Sequence, residues 1–131
     1  MTYLILLMAT NLIVGPNLVK LAEPTRPIMV TSWYDLTGNT TASGIIFDGN
    51  NKHQAAHKNL PFGTKVKLIR KTPETTTTLT VTIVDRGPFV DGRDLDISKA
   101  AAKHLGIIDD KRNIDYGVVE LEYEILHLAV R

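Results

Sequence analysis

The chain predicts an all-β fold, a small barrel with one short inserted helix. Three observations carry this expectation. Several short stretches alternate apolar and polar residues with period two, clusters of turn-forming residues separate them, and a single segment has helical composition. At 131 residues with 44% hydrophobic content, the sequence suffices for one domain of about 100 residues with a sizeable core, and hardly for two.

Taken in chain order, the first signal is "YLILLMATNLIV", Tyr3 to Val14, an apolar run as long as a signal-peptide core and short for a membrane span. Residues 1–22 are therefore read as a signal peptide or an N-terminal membrane anchor. The competing reading is a buried helix of the mature fold. "EPTRP" (23–27) reads as a linker, because two prolines so close together forbid a regular ladder. The folded domain is expected over 28–126, with 127–131 as a tail. "IMVTSWY" (28–34) is rich in strand formers, and "DLTGNTTASG" after it is turn chemistry. "TKVKLIR" (64–70) and "LTVTIVD" (79–85) both alternate, and the polar "KTPETTTT" between them makes 64–85 an antiparallel hairpin.

"SKAAAKHLGI" (98–107) is the helix, with Ser98 as N-cap, alanines of high propensity behind it and Gly106 as the stop. "YGVVELEYEIL" (116–126) is a half-buried strand. Val118, Glu120, Glu122 and Glu124 form its outer row against Val119, Leu121, Tyr123 and Ile125. Fifteen basic and fourteen acidic residues leave a formal charge of +1, and no block of like charge forms a footprint for nucleic acid. The absence of cysteine excludes disulfides, thiolate catalysis, zinc-thiolate sites and a lipidated N-terminal cysteine.

The chemistry concentrates in "TIVDRGPFVDGRDLDIS" (82–98). Asp85 stands where an apolar strand stops and the chain turns, so a rigid element holds its carboxylate open to solvent, as a general acid requires. It reads equally well as a turn cap paired with Arg86 or Arg93. Asp96, two residues before the helix N-cap, suits a helix start electrostatically, and Asp91 and Asp94 read as loop solvation. His57 is a lone histidine before a Pro-Phe-Gly turn, and only a carboxylate partner would raise it above a structural role. His53 and His57 would make a metal pair only on a helix, and nothing else resembles a ligand set. Ser43 and Thr41 read either as hydroxyl contacts to a polar substrate or as turn residues. Trp33 and Tyr34 face opposite sides of a strand, so at most one joins the core, by preference Trp33, which leaves the other free to offer a ring to a sugar or a partner.

In order, "SWY", "TASG" followed by "FD", "AAHKNLPFGTKVKL", "VDRGPFVDGRDLDISKAAAKHLG" and "GVVELEYEIL" resemble the rare lipoprotein A (RlpA-like) family of double-psi β-barrel domains. The likeness runs from about Thr31 to Ile125. It implies a six-stranded double-psi barrel, a cell-envelope location (periplasmic or extracellular) and lytic transglycosylase activity on peptidoglycan glycan strands, preferably those lacking stem peptides. It further implies Asp85 as catalytic acid/base and His57 as a second catalytic residue, and aligns Asp96 with the proton-donating Asp of the expansin and endoglucanase relatives. Ser43, Asp48, Arg86 and Asp96 are read as substrate contacts, with Arg86, by preference, as a buttress of the psi loop instead. No cofactor, metal or nucleic acid is implied, and the protein is expected to act as a monomer. The family's T-A-S-G-E-x-F-D pattern meets Ile45 at its Glu, leaving Asp48 as the nearest carboxylate. A transglycosylase suits one acid/base better than a two-carboxylate hydrolase would, because the attacking group is the substrate's own 6-hydroxyl. The alternative is a non-catalytic, expansin-like module that binds glycan or loosens the wall.

Overall fold

The computed structural model describes residues 11–14, 17–20 and 25–130. The end of the apolar run, Asn11–Val14 (β1), pairs antiparallel with Asn17–Lys20 (β2) as a separate two-stranded sheet. The signal-or-anchor reading of 1–22 otherwise lies outside the described residues. Among the described residues no helix is long and apolar enough to cross a membrane.

The main body is built from β3 (Ile28–Tyr34), β4 (Gln54–His57), β5 (Lys65–Lys71), β6 (Thr76–Asp85), β7 (Leu95–Ser98), α1 (Lys99–His104), β8 (Ile108–Asp109), β9 (Ile114–Asp115) and β10 (Val118–His127). Six of these strands close into a barrel in the order β10-β3-β7-β4-β6-β5. The β3/β7 and β4/β6 pairs are parallel, and the other four are antiparallel. Chain neighbours β3 and β4 are not sheet neighbours, because β7 lies between them. This is the expected double-psi barrel with one short helix.

Alternation builds the interior as the sequence implies. Val66 pairs with Val81 and Leu68 with Leu79 across the β5/β6 hairpin, and all four are buried. Ile97 pairs with both Trp33 and Ala55, and Ala55 with Ile83, carrying the inner row onward around the barrel. Leu121 closes it from β10 with Val119 and Tyr123 packed beside it. Arg26 bonds Glu124 at 2.7 Å and Tyr123 N donates to Pro27 O at 3.1 Å, which ties the described part of the 23–27 segment to the outer row of β10.

The helix begins where Ser98 Oγ accepts from Ala101 N at 3.1 Å, and Ala101 and Ala102 bury its inner face. Gly106 ends it at φ +71°, a conformation that any side chain would strain. β4, β7, β8 and β9 are strands that sequence reasoning did not separate from loop. Each has two or four residues, too few for a period to register, and long-range pairing alone makes them strands.

Candidate functional site

A bulge in β6 creates the site. Counting from Leu79, Val81 and Ile83, strict alternation would turn Asp85 into the core. The β4/β6 ladder pairs Ala55 with Ile83 but Ala56 with Asp85, skipping Val84. The extra residue carries Asp85 to the outer face of the barrel. There it joins a lateral row across four strands, Ser32 on β3, Asp96 on β7, Ala56 on β4 and Asp85 on β6. Ala56, 1% exposed, is the small residue between the two carboxylates.

The 35–53 segment meets this row at Asp85, to which it donates through the Ala42 amide. Asp85 Oδ1 accepts from Ala42 N at 2.8 Å and from Arg86 N at 2.9 Å, while Oδ2 takes a longer contact from the Tyr34 hydroxyl at 3.4 Å. Ser43 N donates to Val84 O at 3.1 Å, seating the same turn on the bulge. Tyr34 stacks on the buried Phe47, with ring centroids 4.5 Å apart. Gly49 lets the segment close on itself, since a Cβ there would meet Asp35 Oδ1 at 2.6 Å. Burial, followed by the charges of Asp85 and Asp96, pushes the Tyr34 phenol far above its ordinary range, so it is a fixed donor. Burial likewise raises the Asp96 carboxyl above 3.8, against the hydrogen bond from Ser32 Oγ and the charge of Arg93, which lower it.

His57 lies one residue beyond Ala56, opposite Leu95 of the inner row, at the rim of the barrel. Its Nδ1 accepts from Leu60 N at 3.1 Å and Asn59 N at 3.2 Å, which leaves Nε2 to carry the proton of the neutral ring. Burial, aided by the charges of Arg86 and Lys58, lowers its pKa below 6.5, while Asp94 opposes the shift. Among the described residues no hydrogen bond joins His57 to Asp85. Arg86 turns the same way as His57. Its Nη1 donates to Leu60 O at 2.8 Å and His57 O at 3.3 Å, and the guanidinium lies 3.8 Å from the Phe62 ring centroid.

The remaining sequence candidates fall around this centre. Ser43 is half-buried, its hydroxyl 3.0 Å from that of Thr41. Asp48 is exposed and its carboxylate caps Asn50 N at 2.9 Å, while Ile45 stands 44% exposed on the turn that brings Ala42 to Asp85. Asp94 corrects the loop-solvation reading: its Oδ2 accepts from Val30 N at 2.9 Å and its own N–H donates to Val30 O at 2.8 Å, so it fastens the loop to β3. His53 binds Thr80 O through Nδ1 at 2.8 Å, and the residues from it to His57 run as strand β4 rather than as a helical turn, so the helical metal pair does not form. Trp33 packs on the core as preferred.

Sequence reasoning missed Tyr34 as a partner of Asp85, along with Ser32 and the Ala42 amide. The "SWY" alternation already placed Ser32 on one side of the strand and Tyr34 two residues further on that same side. No local signal named the carboxylates they meet.

A family model described as lytic transglycolase matches residues 28–123. A probable endolytic peptidoglycan transglycosylase RlpA of Aquifex aeolicus is 44% identical over 97 residues, covering 72% of this chain and 39% of that protein. The endolytic peptidoglycan transglycosylase RlpA of Pasteurella multocida is 37% identical over 101 residues, covering 76% of this chain and 31% of that protein. The chain therefore spans less than half the length of these curated relatives. Among solved structures, cerato-platanin 2 from M. perniciosa superposes with a TM-score of 0.58 at 10% identity, over 77% of this chain and 95% of that one. At such identity the likeness is one of fold.

Proposed function

Because the chain belongs to the RlpA-like lytic transglycolase family of double-psi β-barrels, we propose that it is an endolytic peptidoglycan transglycosylase with Asp85 as its acid/base. The observation that carries this reading is the fixed orientation of the Asp85 carboxylate on the outer face. Two backbone N–H groups hold Oδ1 and the Tyr34 hydroxyl approaches Oδ2, so the second oxygen has a lone pair to spare toward solvent.

In the reaction the protonated Asp85 gives its proton to the glycosidic oxygen as the C1–O bond breaks. The muramic 6-hydroxyl then attacks C1, and Asp85 takes its proton back, leaving a 1,6-anhydro ring with no water consumed. Asp96, its carboxyl raised above its ordinary value by burial, stands in the same outer-face row and contributes a further polar contact to the sugar. His57 acts from the rim as a neutral Nε2–H donor to the sugar rather than as a partner of Asp85. Ser43 and Asp48 contribute polar contacts at the edge of the 35–53 segment, and strands lacking stem peptides are the preferred substrate. A peptidoglycan substrate puts the site of action in the cell envelope.

One observation favours a second reading, glycan binding without cleavage. The turn beside Asp85 presents Ile45, and the nearest carboxylate on that segment, Asp48, is occupied as a turn cap. Purified protein incubated with stem-free glycan strands separates the two readings by mass spectrometry. The enzyme releases 1,6-anhydromuramic ends, and Asp85→Asn abolishes them. Strand binding with no such product, unchanged by Asp85→Asn, selects the binding module.

A further inference from the structure

Arg86 lines a cleft of about 520 Å³ with Pro61, Phe62 and Val130. The guanidinium is half-buried and lies against the Phe62 ring, and its Nη1 is committed to the carbonyls of His57 and Leu60. Those contacts immobilise it. Among the described residues, Nε and Nη2 have no hydrogen-bond or ion-pair partner. An arginine held on one edge by backbone and on its face by an aromatic ring presents its other edge as a ready fork for a planar, two-oxygen anion. Holding the loop requires only Nη1. The charge and the free edge are surplus to that task.

We propose that the Arg86 cleft is a carboxylate-binding subsite, which receives a carboxylate of the glycan strand while the Asp85 site holds the neighbouring linkage. The inference rests on the reading of peptidoglycan as substrate. Two groups in that polymer supply the chemistry: the lactyl carboxylate of a muramic residue without a stem peptide, and the free carboxylates of the stem peptide itself. In the first case the pairing is lost whenever a stem peptide converts the lactyl group to an amide. The apolar Pro61 and Phe62 lining suits the lactyl methyl group.

The test is a binding measurement on the intact protein and needs no turnover. Wild-type protein is titrated with stem-free strands and with the same strands after their lactyl carboxylates are converted to primary amides. The amide strands are expected to bind about tenfold more weakly, the effect of losing one charge-assisted pair. Arg86→Gln, which keeps a donor for the loop carbonyls, is expected to bind both equally, at the weaker level. Equal affinity of the wild-type protein for carboxylate and amide strands, with stem-bearing strands also indifferent to Arg86→Gln, overturns the subsite. Tight binding of stem-bearing strands that Arg86→Gln abolishes upholds it and places the carboxylate on the peptide. Because the readout is affinity, a protein that discriminates the strands yet releases no 1,6-anhydro ends refutes the transglycosylase reading and leaves the subsite standing.

Discussion

Asp85 and Arg86 are adjacent in sequence, yet they pin two different loops to the end of β6. Asp85 holds the 35–53 segment through the Ala42 amide and reaches Tyr34 on β3, all by hydrogen bonds to a carboxylate. Arg86 holds the 57–62 stretch through the carbonyls of His57 and Leu60 and the Phe62 ring. The first loop is tied by an acceptor and the second by a donor, and His57 goes with the second. Adjacent residues of one motif thus serve two places, a carboxylate on the outer face just after the Val84 bulge and a guanidinium at the rim.

The sharpest break of this comparison is at Asp85. Asp85→Asn keeps the shape but removes the acid, and release of 1,6-anhydro ends is expected to fall by about 10²- to 10⁴-fold with strand affinity nearly unchanged. A fall in affinity as large as the fall in rate would mean that the residue only braces its loop. Next in size is Ala56→Val. Extra methyl groups between Asp85 and Asp96 at a position 1% exposed are expected to cost about 1–3 kcal/mol in urea denaturation, and the activity should drop with the displaced carboxylates.

Tyr34→Phe preserves the stack on Phe47 and deletes only a 3.4 Å contact. About three- to fivefold should be lost from kcat with little change in Tm, in keeping with one long hydrogen bond. Applied to Asp85→Asn protein, it should change nothing further.

The smallest effects are the pH dependences, which have opposite sign in the two centres. The Asp96 carboxyl is raised from 3.8 by burial, so its contribution to stability is fully present below that value and is lost as pH rises through the folded pKa. Thermal scans upward from pH 3 should therefore show a decline that Asp96→Asn removes. The His57 ring is lowered from 6.5, chiefly by burial, so its contribution is present above that value and is lost as pH falls through the folded pKa. His57→Gln should flatten that acid limb and leave the Asp96 limb in place.

Much of this molecule was legible before its structure. The β5/β6 hairpin, the last strand with its acidic outer row and the Ser98-capped helix are local patterns, each confined to one or two neighbouring segments, and local patterns survive in a one-dimensional reading. Asp85 was visible as a carboxylate at a strand end. Its surroundings were not, because Ala42 and Tyr34 lie 43 and 51 residues away along the chain. The four-residue strands β4 and β7, which carry Ala56 and Asp96, have no periodicity of their own.

By itself, then, the sequence determined the barrel class, the hairpin, the helix with both its ends and the family motif, since alternation, capping and turn chemistry act between near neighbours. Tertiary structure decided which side of the barrel Asp85 faces, that Tyr34 rather than His57 touches it, and that Arg86 keeps one edge free. The physical reason is the bulge at Val84. One unpaired residue reverses the side of everything after it, and only the partner strand, nearly thirty residues earlier in the chain, determines where it falls.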